Sequence, residues 1–390
     1  MENNFIIESA TLTKLKQLFL DARSQILSAI QSGRQIVIRH HNDCDGYSAA
    51  IALEKAIIPL IENLRTNRYL QRYYMRIPSH APFYSITDSL KDTSRALMNK
   101  ARFGKEMPLV IILDNGSSEE DLLGIRQGKI YGMKFIVIDH HFFKEDMISD
   151  EVLVHINPLL VEKEMNFSAG MLGVELALFL NPEVSKLKHL AALSAIADRV
   201  DPGKYLALAE KEGYSREELS KVSKVVDYVI VNMPFVDGGE YMSLLFGDDR
   251  KMQQKTVALL LPELERLEQK AIAIGKDALQ EEKIGDITLA SIDVHATYPR
   301  MAYPKMGRIV GLLHDTLDGK VVTIGTTESS MTIRAKKEAG FSLHGFIDLI
   351  KKEIPKAFVE GGGHECAGTI HFVPSTKKSV EEALKKYLSK

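Results

Sequence analysis

The chain has 390 residues, enough for two or three domains, and its 45% hydrophobic and 26% charged residues are ordinary for a water-soluble protein. A formal net charge of -2 excludes a uniformly basic nucleic-acid binder but leaves room for a local positive groove. Two cysteines, Cys44 and Cys366, exclude a disulfide framework and point to a reducing compartment.

The N-terminal residues show no signal pattern, and no apolar run nears the ~20 residues that span a bilayer, so a cytoplasmic protein without a membrane partner is expected. In chain order, Leu15, Leu18, Phe19, Ala22 and Ile26 predict an amphipathic helix over 11–32. A short apolar run, 36–38, stops in Arg39-His40-His41-Asn42-Asp43-Cys44-Asp45-Gly46, and a helix over 47–59 follows. The design recurs twice: run 109–113 enters Asp114-Asn115-Gly116, and run 135–138 enters Asp139-His140-His141. Purely apolar runs of this length between helices are the mark of parallel strands covered on both faces. Each polar cluster lies just beyond a run, so all three should gather on the carboxyl edge of one sheet, where open α/β folds bind ligands.

Helices are expected over 168–180, 187–200 and 215 to about 247, then a long charged helix over 249–283. A second αβ pattern has strands at 287–292, 321–326 and 331–334, helices at 305–314 and 342–352, and the run Gly361-Gly362-Gly363-His364. The expected fold class is α/β: an N-terminal doubly wound, mostly parallel sheet, a long connecting helix and a smaller C-terminal α/β domain. The boundaries expected are 1–248 for the first domain with a helical tail, 249–284 for the connecting helix and 285–390 for the second domain.

His41, Asp43 and Asp45 alternate, and in an extended segment that spacing puts all three on one face, with Asn42 and Cys44 pointing away. Asp114, His140 and Asp198 are the natural additions. Such a set is too large for one tetrahedral zinc, and hard oxygen donors with a few imidazoles suit Mn²⁺ or Mg²⁺. Two ions about 3.5–4 Å apart are the usual arrangement for attack on a phosphate. A lone Asp such as Asp114 is as readily a helix N-cap, but three clusters at corresponding strand ends are hard to read as three caps. His40 and His41 offer two imidazoles where one is needed, and the sequence leaves the choice open.

Together His41-Asn42-Asp43-Cys44-Asp45-Gly46, Asp114-Asn115-Gly116, Asp139-His140-His141 and Asp198 resemble the four ordered motifs of DHH phosphoesterases. The stretch 361–368 is similar to the glycine-histidine signature of the type-1 DHH-associated domain. Ile156-Asn157-Pro158 and Ser168-Ala169-Gly170 resemble the region behind the third motif in RecJ-like nucleases. Bacterial RecJ enzymes are longer and have three acids in the first motif, so this chain resembles the short archaeal RecJ-like proteins more.

The resemblance implies one cation held by His41, Asp43 and Asp114, and a second by Asp45, Asp114, His140 and Asp198, with Asp114 as the bridge. It implies that Asp139 orients a ligand and that His141 lies beside the substrate phosphate. In the C-terminal domain it implies that His364 touches a phosphate, that N–H groups of Gly361, Gly362 and Gly363 form an anion nest, and that Arg334 clamps a neighbouring phosphate. The implied activity is a RecJ-like exonuclease on single-stranded DNA or RNA, with attack by a water that two cations activate. The alternatives are a nanoRNase or 3′-phosphoadenosine-5′-phosphate phosphatase, and a scaffold subunit of a replication or repair complex. Single-stranded nucleic acid is the expected partner, with a helicase or replisome protein as a second.

Arg65, Arg68, Arg72 and Arg76, interleaved with Tyr69, Tyr73 and Tyr74, could stack bases, though a solvated helix leading into a half-buried strand is the preferred reading. Arg300, Lys305 and Arg308 read as ordinary surface, and Cys44 and Cys366 as packing residues.

Overall fold

The computed structural model describes residues 4–64, 67–162, 166–184, 186–232, 236–299, 301 and 303–389. The chain divides into two compact units, Met1–Ile230 with Phe235–Val257, and Val231–Pro234 with Ala258–Lys390. Arg65 and Arg300 of the two basic stretches lie outside the described residues.

In the first unit, helix α1 (Ala10–Ser32) leads into β1 (Ile36–His40), α2 (Cys44–Leu64), β2 (Tyr74–Pro78), α3 (Ile86–Phe103) and β3 (Leu109–Leu113). Then come α4 (Glu119–Ile130), β4 (Lys134–Ile138), β5 (Val154–Ile156), α5 (Ala169–Leu180) and α6 (Lys188–Ala197). Three further helices follow: α7 (Gly203–Lys211), α8 (Arg216–Asn232) and α9 (Val236–Leu245). The five strands are all parallel, in the order β2-β1-β3-β4-β5. Val110, Ile112, Phe135 and Val137 pack with Leu122, Ile125 and Ala96 of α4 and α3, while α1, α2 and α5 contact the sheet as well. All five residues of β3 are buried, which is why the strand reads as an unbroken apolar run. Each fully buried aliphatic side chain contributes roughly 1.5–3 kcal/mol.

Register sets the site. His40, Leu113 and Ile138 are neighbours across β1, β3 and β4, so His41, Asp114 and Asp139 leave the sheet at one level. The ladder continues one step further: His41 N–H donates to Leu113 O (3.1 Å), Asp114 N–H to Ile138 O (3.0 Å) and Asp139 N–H to Ile156 O (2.9 Å).

Helix α10 (Arg250–Ala278) leads to β6 (Gln280–Ile284), β7 (Ile287–Asp293), α11 (Val294–Thr297) and α12 (Met306–His314). The second unit continues with β8 (Val321–Thr326), β9 (Ser330–Ala335), α13 (Leu343–Glu353), β10 (Glu360–His364), β11 (Ala367–His371) and α14 (Lys377–Leu388). Its sheet runs β10-β11-β9-β8-β7-β6, with only β7 and β8 parallel. Phe346 and Ile350 of α13 and Val380 and Leu384 of α14 fill one core with Ile324, Ile333 and Ile370. Ile309, Val310 and Leu313 of α12 fill another with Ile292 and Ala271. Among the described residues no helix is long and apolar enough to cross a membrane.

Candidate metal centre

The extended reading of the first motif is corrected by the structure. β1 ends at His40 and α2 begins at Cys44, so 41–45 is a turn into a helix rather than a strand. Asp43 Oδ1 accepts the Gly46 N–H at 2.9 Å, the bond of a helix N-cap, which closes the chain at that point. The turn still brings the donors together. Asp43 Oδ2 lies 2.7 Å from His41 Nδ1, and Asp45, in the first turn of α2, is buried against α5. Gly46 is required here: a Cβ would stand 2.2 Å from the His41 carbonyl oxygen. Cys44 is buried, and burial pushes its thiol well up, in keeping with a packing residue.

Among the described residues, three groups have donor atoms within 4.8 Å of one another: His41, Asp43 and Asp114; Asp45, His140 and Asp198; and Asp114, His140 and His141. Asp114 and His140 each belong to two of them. His140 Nε2 lies 3.2 Å from Asp114, 3.4 Å from Asp45 and 3.6 Å from Asp198, and His41 Nδ1 lies 3.5 Å from Asp114. Asp114 is not a helix cap, because Ser118 caps α4. Its backbone is left-handed, with φ 58, a conformation costly outside glycine that a rigid surrounding ladder sustains. His41, not His40, stands among the donors. His40 is buried with Nδ1 2.7 Å from the His41 carbonyl oxygen, and burial, aided by Arg76, pushes it down to about 3.

The cluster attracts positive charge. Burial opposes ionisation of His41 and His140, yet both are held well above the ordinary imidazole range, His41 by Asp43 and Asp114, His140 by Asp198, Asp114 and Asp45. Burial and the Asp114 charge drive the Asp45 carboxyl well up. Among the described residues, Asp114 Oδ2 is buried with no hydrogen-bond partner. Four carboxylates and three imidazoles around such an atom fit hard divalent cations.

Asp139 braces the third cluster. Its Oδ1 accepts from His140 N–H (2.8 Å) and His141 N–H (3.2 Å) and meets His141 Nδ1 at 2.8 Å, while Oδ2 accepts from Ser117 N–H at 3.1 Å. Burial works against its charge, but the two histidines hold the carboxyl far below the usual range. Of what lies behind it, sequence reasoning named Asn157 only within a resembling stretch and gave Ser117 and His155 no part. Asn157 donates to both Ser117 Oγ and the His141 carbonyl at 3.0 Å, and Ser117 Oγ meets His155 Nε2 at 2.9 Å. It also missed Ser194, which bonds to Asp45. A single buried hydroxyl has no signature in one sequence.

In the second unit, His364 and Arg334 both pair with Ala367, so the three residues form a row across β10, β11 and β9 with side chains on one face. The backbones of Arg334 and His364 therefore sit about 10 Å apart. Arg334 donates to Gly307 O at 3.3 Å, in the first turn of α12. Gly361 and Gly363 have φ 129 and 142, and a Cβ on either would meet backbone of β11 at 2.2 or 2.4 Å.

The basic stretch of the first unit offers little stacking surface among the described residues. Lys105 sits 4.0 Å over the Tyr73 ring, Arg72 is 4.2 Å over Phe103, and Arg76 and Tyr74 both bond Glu54. Arg308 is paired with Glu268 at 2.7 Å.

Residues 35–197 match the family model described as the DHH family, N-terminal domain. Over 96% of its length the chain is 31% identical to an uncharacterized protein of Methanocaldococcus jannaschii, of which it spans about half, 54%. A solved structure described as the DHH domain of a member of a family of ribosomal proteins superposes with a TM-score of 0.94 at 33% identity, covering 99% of this chain and 94% of that one. RecJ from Thermus thermophilus, in complex with Mn²⁺, shares the fold, with a TM-score of 0.64 at 16% identity over 95% of this chain and 55% of that one.

Proposed function

This chain belongs to the DHH superfamily of phosphoesterases, and from that premise we propose that it is a metal-dependent phosphodiester hydrolase, a RecJ-like exonuclease that trims single-stranded DNA or RNA to mononucleotides. The observation that carries the reading is the sharing of Asp114 and His140 among three donor groups at one sheet edge. His41, Asp43 and Asp114 would hold one divalent cation, and Asp45, Asp114, His140 and Asp198 a second, Mn²⁺ foremost and Mg²⁺ as the alternative. Such a pair, when bound, supplies an activated water and neutralises charge on the phosphate. RecJ with Mn²⁺ supports the choice of ion through likeness of fold alone.

The chain's own residues supply position and charge. Asp139 fixes the His141 ring through Nδ1 and, against burial, raises the imidazole's affinity for a proton, so the ring brings positive charge to the phosphate. Arg334, His364 and the Gly361–Gly363 backbone would grip phosphates of the strand, Arg334 through its planar fork.

Digestion of an end-labelled strand of about twenty nucleotides, a dinucleotide and 3′-phosphoadenosine-5′-phosphate with Mn²⁺ tests this, with chelator and Asp114→Ala as controls. Release of mononucleotides from the long strand, abolished by both controls, is expected. Preference for either small substrate would favour the nanoRNase or phosphatase activity, and inactivity on all three a scaffold role. An active nuclease can also dock on a helicase or replisome protein, which pull-down with purified candidates tests separately.

A further inference from the structure

We propose that Ser194, backed by Ser168 and the first turn of α5, is a positioning residue that holds Asp45 as a one-oxygen donor facing His140 and Asp198. The proposal rests on the reading of these residues as a metal centre. Asp45 is 2% exposed and its carboxylate is gripped from one side. Oδ1 accepts the Gly170 N–H at 2.7 Å and meets Ser194 Oγ at 2.5 Å, and Oδ2 accepts the Ala169 N–H at 2.9 Å.

A carboxylate oxygen has about two lone-pair sites. Two donors saturate Oδ1. Oδ2 has one bond and keeps its second site on the side of His140 Nε2, 3.4 Å away. The Ser194 hydroxyl donates to Asp45 Oδ1 and so spends its single hydrogen there. Ser168, whose oxygen bonds Ser194 Oγ, must then donate to Ser194. Ser168 makes no cap bond to its own helix, so its hydroxyl serves this chain of bonds instead.

The surrounding backbone is shaped to allow the grip. Gly170 has no Cβ where one would meet Ser194 Cβ at 2.4 Å and Ser48 Cβ at 3.0 Å, so α5 starts close against α6 and α2. The two N–H donors belong to the positive end of α5, which favours the ionised carboxylate. Ser194 lies one turn before Asp198 on α6, with Asp198 N–H bonded to its carbonyl at 3.0 Å. One helix therefore supplies both a donor to the centre and the hydroxyl that aims a second donor. This gives Ser168-Ala169-Gly170 a physical role.

The test is Mn²⁺ titration of the whole chain, read as loss of the free-ion electron paramagnetic resonance signal, alongside urea unfolding of the metal-free protein. Ser194→Ala is expected to weaken one of two Mn²⁺ sites by about 10- to 100-fold and leave the other within about twofold, with kcat lowered and KM unchanged. Ser168→Ala should weaken the same site less, and it decides the matter if Ser194→Ala does not fold. Unchanged affinities in a wild-type background that binds Mn²⁺ would overturn this proposal alone. Equal weakening of both sites together with lost stability would also overturn it, as the mark of a structural residue. Wild-type protein that binds no Mn²⁺ would overturn the metal centre and this proposal with it.

Discussion

Arg39 and Asp92 form a bidentate ion pair that solvent does not reach, with Nε–Oδ2 and Nη2–Oδ1 distances of 2.8 and 2.6 Å. The remaining guanidinium nitrogen reaches Asp88 Oδ1 at 3.1 Å and Pro78 O at 3.2 Å, so one buried arginine ties β1 to α3 and β2. Removing Asp92 leaves the buried guanidinium with Asp88 as its one remaining carboxylate contact and two nitrogens stripped of theirs. Asp92→Ala is expected to cost about 3–5 kcal/mol in urea unfolding. Asp286→Ala, which breaks the solvent-exposed pair with Lys320, should leave the unfolding midpoint nearly unchanged. Equal costs would show that burial is not what gives the Arg39 pair its weight.

Glu175 predicts a pH dependence of stability. Its buried carboxyl takes bonds from Tyr205 Oη (2.7 Å) and Ile6 N–H (2.9 Å), yet burial outweighs them and raises it to about 7. The folded state thus holds a proton that the unfolded chain releases near pH ~4.3. The stabilisation is full below that value and is lost as pH rises through 7, a swing on the order of 3 kcal/mol. Urea unfolding between about pH 5 and pH 8 should show this decline, and Glu175→Gln should flatten it.

Gly46→Ala reverses a usual sign. Alanine in a helix is ordinarily the better residue by up to about 1 kcal/mol. Here its Cβ meets the His41 carbonyl oxygen at 2.2 Å, and backbone must yield. The variant should lose about 1–3 kcal/mol and, with His41 and Asp43 displaced, the Mn²⁺-dependent hydrolysis proposed above. Retention of activity would show that the turn at 41–45 is not what aligns the donors.

Asp139→Asn keeps the shape of a group that meets His141 Nδ1 and accepts both histidine N–H groups, but removes its charge. Calorimetric Mn²⁺ titration should show affinity lowered by about 10- to 100-fold with the far-ultraviolet circular dichroism unchanged. Full affinity would leave Asp139 a merely structural residue.

Arg334→Lys tests the second unit. A lysine keeps the charge and loses the planar fork. On single-stranded substrate KM should rise about tenfold, worth about 1.4 kcal/mol, with kcat little changed. A fall in kcat alone would mean that Arg334 does not act by binding.

What could be read in advance followed from burial. β1, β3 and β4 are covered on both faces, so their apolar runs 36–38, 109–113 and 135–138 stand out, and the acids and histidines just past those runs were visible. The edge strand β2 was legible only as part of a half-buried stretch, because it carries Arg76, paired with Glu54, and Pro78. Helix α3 hid for a subtler reason. Its Asp88 and Asp92 point inward to Arg39 while Leu90 and Leu97 are 52% and 43% exposed, so its polarity is inverted against the usual stripe. β5 has three residues, one of them the buried His155. At the site, an N-capped turn and not the expected extended segment gathers His41, Asp43 and Asp45. Choosing His41 over His40 needed the direction of two rings, which spacing does not encode.

The donors run from His41 to Asp198, and the four strands and several helices between them must all be in place before Asp114 and His140 meet both ends of the set. A nascent chain still on the ribosome short of Asp198 holds only part of that constellation. Any chemistry that needs the whole set therefore waits until synthesis has passed the middle of the 390-residue chain.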